Sequence, residues 1–289
     1  MKPQWDNQVM SSTVLWMDHV LHQLGSGFQN ASGYFSDIPD MVNGLYAYAA
    51  PYKPILADAS VTGATIMTGI YLDNAFLASG QSGFVAINYP EATVYFTGEI
   101  TGTNRISGDF SIGEFQVVLT SKSEEELLFE TKYLLKSRMD QTLSGLAENQ
   151  STFPIVFLKN NGGRNMPFQF GGTDQTVTNV RAIIMADSQF NLDACASLMK
   201  DQIRTHVPIL TQAEMPYNAL GCTGPNGYNY LTVIAGKIPA SACFVDDVTF
   251  LSFDRSSRIF ENFKEVNPGC HPGMLDIRLI GYRAPRQSL

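Results

Sequence analysis

The stretch Val180-Arg181-Ala182-Ile183-Ile184-Met185-Ala186, running into Asp187-Ser188, decides the fold class. Apolar at every position but Arg181, it predicts a strand buried on both faces. Asp187 or Ser188 then opens a helix with Ala194, Cys195, Leu198, Met199 and Ile203 on one face. Lys200 and Arg204 stand i,i+4 on the other side, and Pro208 ends the run. Upstream, Pro154–Leu158 reads as a partner strand, with Asn160-Asn161-Gly162-Gly163 and Gly171-Gly172 between them as a flexible loop. Downstream, Tyr228–Ala235, Val245–Phe253 and Met274–Tyr282 read as returning strands, the first preceded by the turn Pro225-Asn226-Gly227. One long helix on a sheet of such strands is an α+β domain over residues 153–289.

Towards the N-terminus, residues 137–152 lack any sustained period and read as a linker. Residues 61–136 carry short runs bounded by Gly, Asn, Ser or Pro: Ala64–Leu72, Phe84–Tyr89, Thr93–Phe96 and Glu114–Thr120. Leu127, Phe129, Thr131, Tyr133 and Leu135 alternate behind Glu124-Glu125-Glu126, as a strand does, although the Glu run also suits a helix start. Strands so spaced predict a small antiparallel β-sandwich. Residues 1–60 divide into a helix over 12–24 and an extended arm. The helix carries Val14, Met17, Val20, Leu21 and Leu24, capped by Ser11, Ser12 or Thr13 and stopped at Gly25. The arm, Gly25 to Pro54, is rich in aromatics, which loops retain only when something covers them. Trp16, Tyr34, Phe35, Tyr46, Tyr48 and Tyr52 are therefore candidate interface residues, with coverage by the chain's own core as the competing reading. The expected fold class is α+β.

The 289 residues carry 19 Lys+Arg and 27 Asp+Glu, a net charge of −8. Charged residues make up 16%, against roughly 25% in an average soluble domain, while aromatics reach 11%. This composition excludes a disordered chain and suits a surface partly covered by neighbouring subunits. Its acidity argues against a nucleic-acid grip, which needs a dense basic footprint; the short basic tail Arg283-Ala-Pro-Arg286 reads as a solvated end. No stretch approaches the ~18 apolar residues of a spanning helix. The start, MKPQWDNQVM, has no basic segment leading into an apolar one. A soluble protein made in a cytoplasm, with no membrane partner, is expected.

Motifs for chemistry are sparse. Gly80-Gln81-Ser82-Gly83 lacks the spacing of a nucleophile elbow and reads as a hairpin turn. Asn161-Gly162-Gly163-Arg164 has no following Lys-Ser/Thr, and Gly25-Ser26-Gly27 has no third glycine. His19 and His22, i,i+3 on the first helix beside Asp18, are close enough to share a metal, but an exposed or interface pair is the plainer reading. Cys195, Cys222, Cys243 and Cys270 are too widely spaced for a close metal cluster and read as buried thiols. Zinc at Cys270-His271 would need two more ligands from elsewhere, such as Cys222 or Cys243. Asp246 and Asp247, adjacent in a strand, should point to opposite faces and not act as an acid/base pair. No catalytic, cofactor or metal site is expected.

Three segments together resemble phage tail and connector proteins: Gly69-Ile70-Tyr71-Leu72-Asp73-Asn74-Ala75-Phe76, Gly83-Phe84-Val85-Ala86-Ile87-Asn88-Tyr89 and Thr93-Val94-Tyr95-Phe96. There a strand enters a GVYVDG-like turn, a second ends IDY and a third reads GRVYF; Ser107-Gly108-Asp109-Phe110-Ser111 continues the pattern. Phe129-Glu130-Thr131-Lys132-Tyr133, Phe157-Leu158-Lys159-Asn160 and Thr178-Asn179-Val180-Arg181-Ala182-Ile183 look like virion structural proteins of tailed bacterial viruses, particularly marine ones. Asn74 stands where that family has Gly, a residue equally at ease in a left-handed turn. The C-terminal order of strand, long helix and strands is similar to the core of tail-terminator proteins. The resemblance implies a non-enzymatic subunit of the virion, assembled in the host cytoplasm into a ring at the neck, head–tail connector or tail terminator. Its partners would be copies of itself and adjacent neck or tail proteins, with genomic DNA passing through without specific binding. A distal tail or baseplate component, or a receptor- or glycan-binding module, is the alternative.

Overall fold

The computed structural model describes residues 5–101, 105–134, 150–169, 173–217, 227–238, 241–252 and 258–283. Helix α1 (Trp5–Gln23) begins well before the expected start, and Asp6 in its first turn complements the helix dipole. Ser12 and Thr13 are buried mid-helix and cap nothing. The Thr13 hydroxyl donates back to the Val9 carbonyl at 2.7 Å, and Ser12 Oγ accepts from Leu210 N at 2.8 Å. The helix does stop at Gly25, leaving Leu24 exposed.

The expected arm is three strands. β1 (Phe28–Tyr34), β2 (Ser36–Val42) and β3 (Leu45–Ala49) join β4 (Gly69–Leu72), β5 (Ala75–Ala78), β6 (Phe84–Asn88), β7 (Thr93–Phe96) and β8 (Ile106–Gly113) in two antiparallel four-stranded sheets. Their orders are β1-β8-β4-β5 and β2-β3-β7-β6, and one apolar core containing Ile70, Phe84, Phe96 and Phe110 lies between them. The sandwich thus exists, but it takes β1, β2 and β3 from residues 28–49, with β1 and β2 each at an edge. Gly80–Gly83 links β5 of one sheet to β6 of the other, so it is an inter-sheet turn and not a hairpin.

β9 (Gln116–Leu119) leaves the sandwich and pairs in parallel with the far sheet. After it, a π-helical turn at Glu126–Glu130 takes the first part of the expected strand, of which the described residues keep Lys132–Leu134 as strand. It buries the consecutive residues Leu127 and Leu128, which an alternating strand could not place on one side. β10 (Lys132–Leu134) and β11 (Gln150–Thr152) form a short parallel pair; most of the expected linker lies outside the described residues.

β12 (Ile155–Gln169) and β13 (Thr173–Ala186) make a long hairpin. Asn160–Gly163 is a bulge within it rather than a loop: Asn160 Oδ1 accepts from Gly162 N at 2.8 Å, and Gly162 takes φ +85°. Helix α2 (Gln189–Lys200) starts as expected, with Ser188 capping Asn191 N at 3.1 Å, but ends before Ile203, which is left exposed. β14 (His206–Pro208) follows. Tyr228–Ala235 is not a strand; Asn229 caps the one-turn helix α3 (Tyr230–Val233). β15 (Ala242–Ser252), α4 (Arg258–Val266) and β16 (His271–Arg283) complete a sheet ordered β14-β15-β16-β13-β12-β9.

Strand alternation gives this sheet two cores. Val156, Leu158, Val180, Ala182, Ile184, Leu275, Ile277 and Leu279 pack with α1 and α2. Ile155, Phe157, Ile183, Met185 and Met274 face Leu127, Leu128 and Phe263 of α4. The architecture is α+β. Sequence order and spatial grouping nevertheless differ, since α1 and β9 belong with the C-terminal sheet and β1–β3 with the sandwich.

The second face is tied at Arg181, which makes a two-pronged contact with Asp276 at 2.7 and 2.9 Å and reaches Glu124 at 2.6 Å. Arg181→Ala leaves two half-exposed carboxylates facing each other without their cation. It should lower stability by about 1–2 kcal/mol in urea unfolding, and an unchanged midpoint would refute this reading of the contact.

Candidate functional site

The segment 50–61 runs between the sandwich and the helical layer and bonds to both. Ile55 N donates to the Tyr89 carbonyl at 3.1 Å and Leu56 N to Ser111 at 2.8 Å, both in the sandwich. On the other side Tyr228 N donates to Ala57 O at 2.8 Å and Ala59 N to Tyr228 O at 2.6 Å. Gly227 permits that approach: it takes φ +69°, and a Cβ there would lie 2.2 Å from the Ala57 oxygen.

Against this segment α1 presents Asp18, His19 and His22. His19 Nδ1 donates to Asp58 Oδ2 at 2.7 Å, and its ring stacks on Tyr230 with centroids 4.6 Å apart. Asp58, only 1% exposed, accepts on Oδ1 from Ser60 N (2.9 Å), Ser60 Oγ (2.6 Å) and Tyr230 N (3.0 Å). Burial pushes its pKa up, but the hydrogen bonds from His19, Ser60 and Tyr230 outweigh that and hold it below 3.8.

A serine, a histidine and an aspartate in one place invite a test against nucleophilic catalysis. A triad uses the two imidazole nitrogens separately, one towards Asp and one towards Ser. Here Asp58 and Ser60 both sit at Nδ1, with Ser60 Oγ 3.4 Å from it and donating to the carboxylate. The cluster is a latch joining α1, the segment 50–61 and α3.

His22 lies beside the latch, 1% exposed, with Nδ1 3.5 Å from Asp18 Oδ1 and no hydrogen-bond partner on either ring nitrogen. Gly113 leaves room beside it, since a Cβ there would stand 2.9 Å from Nε2. Burial pushes the His22 pKa down, but the Asp18 carboxylate, helped by Asp58, more than reverses this and leaves it above 6.5. Asp18, His22, Tyr217 and Tyr228 line a cavity of about 70 Å3 whose other walls include Val14, Leu56, Tyr89 and Phe115. The Tyr228 hydroxyl is buried there without a hydrogen-bond partner, and burial raises its pKa.

Of the residues singled out from sequence, Trp16, Phe35 and Tyr48 are buried in the chain's own cores and cannot offer their rings to a partner. Tyr34 is 64% exposed, with Arg105 over its ring at 6.0 Å; Tyr46 and Tyr52 are half-buried. His19 and His22 are not an exposed pair, and they turn to different partners. Cys195, Cys243 and Cys270 are buried free thiols raised by burial to about 12, while Cys222 lies outside the described residues. Cys243 pairs with Gly281, ten residues along β16 from His271, a separation of about 33 Å, so it cannot join Cys270-His271 around zinc. A bulge at Asp246 breaks the expected alternation: Asp246 contacts Arg278 at 3.3 Å, while Asp247 is the residue paired opposite Arg278. Among the described residues, no group of three or more His, Cys, Asp or Glu could hold a metal, and no helix is long and apolar enough to cross a membrane.

Sequence reasoning missed Asp58, Ser60, Tyr217, Tyr228 and Tyr230. The local signal was Asp58-Ala59-Ser60, a turn in which the carboxylate bonds the backbone two residues on. Comparison with models of known protein families gives no match to this chain, and comparison with curated proteins gives none either.

Two outcomes test the cluster. Asp58→Ala strands the His19, Ser60 and Tyr230 donors and should cost about 3 kcal/mol or more; a loss under 1 kcal/mol would contradict the latch. A raised folded pKa at His22 means the native state holds its proton longer than the unfolded chain does. That contribution is complete below pH 6.5 and fades as pH rises through the folded value. Melting temperature should therefore show a downward component with rising pH above 6.5 that His22→Gln abolishes; an identical pH profile in the variant would reject it.

Proposed function

We propose that this chain is a non-enzymatic structural subunit of a tailed-phage particle, building a ring at the neck, head–tail connector or tail terminator. The observation that carries the reading is the outer half of the β12–β13 hairpin. β9 covers β12 only from Ile155 to Leu158, and beyond that no described strand pairs with the outer edge of β12. Free strand edges are templates for pairing with another chain. Phe168, 52% exposed, packs on Tyr282, 51% exposed, with ring centroids 4.7 Å apart, giving that end of the sheet an apolar surface.

A second edge lies on the sandwich, where β1 pairs with β8 and, among the described residues, with no strand on its other side, and exposes Tyr34. An edge of one kind meeting an edge of another is a heterologous contact, the kind that closes into rings. The resemblance of roughly residues 60–210 to virion proteins of tailed phages supports the virion setting, with neighbouring neck or tail proteins as further partners.

Immunogold labelling of particles from the source tests the setting. Label at the head–tail junction is expected; label at the far tip would move the subunit to the baseplate, and no label would remove the virion reading. Sedimentation of the purified chain tests assembly. Phe168→Ser with Tyr282→Ser should shift a concentration-dependent oligomer towards monomer without lowering the melting temperature, and an unaltered distribution would exclude this surface.

A further inference from the structure

His22 and Tyr228, which both line this cavity, carry three buried polar atoms without hydrogen-bond partners: the two His22 ring nitrogens and the Tyr228 hydroxyl. Burying such groups unpaired costs free energy, so something with polar atoms of its own must fill the space. The one carboxylate lining the cavity is Asp18, and no lining residue is Lys or Arg. Behind it Asp58 adds negative charge, and the two carboxylates act on His22, Tyr217 and Tyr228 in the same sense, favouring their protonated forms. The cavity interior is therefore a place of negative potential.

We propose that this cavity is a binding site for a small primary ammonium group. Such a group has three N–H donors, which match the Asp18 carboxylate, the lone pair of neutral His22 and the Tyr228 oxygen. Its charge answers the carboxylate, and its alkyl part fits the apolar walls at Val14, Leu56 and Phe115. An anion would meet Asp18 directly. A neutral alcohol would fill the space but gain no Coulombic attraction. A metal ion would find only Asp18 and His22 as strong ligands, fewer than a stable site uses.

The volume, about 70 Å3, exceeds the ~10–15 Å3 that one water needs and is about half that of a benzene-binding cavity. That suits two to four heavy atoms, so an isolated ligand of this size binds at about millimolar concentration. The charged groups that act on His22 are Asp18 on α1 and Asp58 from the segment 50–61, while Tyr217 and Tyr228 are the other titratable residues lining the cavity. An ammonium needs neutral His22, so its binding competes with protonation there and strengthens as pH rises.

The test is NMR of the full chain with labelled histidine rings, titrated at pH 8 and constant ionic strength with ethylammonium, ethanol or acetate. Ethylammonium should shift the His22 ring signals saturably and lower their titration midpoint, with ethanol and acetate doing neither. Asp18→Asn should weaken ethylammonium binding about tenfold or more. Tyr228→Phe, which keeps the ring, should weaken it less and guards against an Asp18 variant that fails to fold. Nα-acetyl-lysine amide separates two sources of the same chemistry: tighter binding than ethylammonium assigns the site to a lysine side chain of a partner, weaker binding to a free amine. Equal responses to ethanol and ethylammonium, no saturation, or full binding by folded Asp18→Asn would overturn the proposal and leave the cavity to water.

Discussion

The carboxylate of Asp58 fixes how the layers of this protein meet. Buried to 1% exposure, it accepts from His19 on α1, from Ser60 in its own turn and from the Tyr230 backbone 172 residues away. An ionised carboxylate out of water is tolerated only when its lone pairs are answered. Each donor must therefore be in place for any of them to be comfortable. The same segment threads the sandwich through Ile55 and Leu56. One buried charge thus links the sandwich, the first helix and the connection before β15, and the cavity beside His22 lies where these three parts meet.

What sequence could show followed the strength of periodic burial. β13 and α2 were legible because their apolar residues face a core without interruption and Ser188 caps the helix. β1 was not. At the sheet edge its residues are mostly exposed, and Gln29, Asn30, Ser32 and Gly33 look like loop. Read as loop, Phe35 and Tyr48 leave open whether a partner or their own core covers them, and the opposing sheet does so. At Leu127–Leu135 the alternation was genuine in composition but misleading, because a π-helical turn packs adjacent leucines together and Thr131 closes it by donating to the Glu126 carbonyl at 2.9 Å. The candidate site was less legible still. His19 and His22 were visible as a pair, but their roles depend on Asp58, Tyr217 and Tyr228, which periodicity within α1 cannot place beside them.

Grouping in space departs from order in the chain for a related reason. β9 leaves the sandwich because its Val117, with Phe115 just before it, completes the core under α1, while its backbone finds β12 in parallel. Parallel neighbours need long connections, and the chain between β9 and β12 supplies one. A boundary drawn from local composition near residue 136 therefore cuts through a single core.

The unpaired polar groups among the described residues are of two kinds. Along the outer half of β12 and on β1 no described strand takes up the backbone N–H and C=O groups of the edge, and at a surface water satisfies such groups at little cost. Under the proposed assembly, association through those edges would exchange one set of hydrogen bonds for another, so it would gain mainly from apolar contacts such as Phe168 and Tyr282 and depend on protein concentration. His22 and Tyr228 have no such recourse to solvent. Their polar atoms are buried in the single chain whether or not it assembles, so whatever fills the cavity stabilises the folded subunit itself. Occupancy of the proposed site would act on the junction that positions α1 against the sandwich, with or without a partner at either edge.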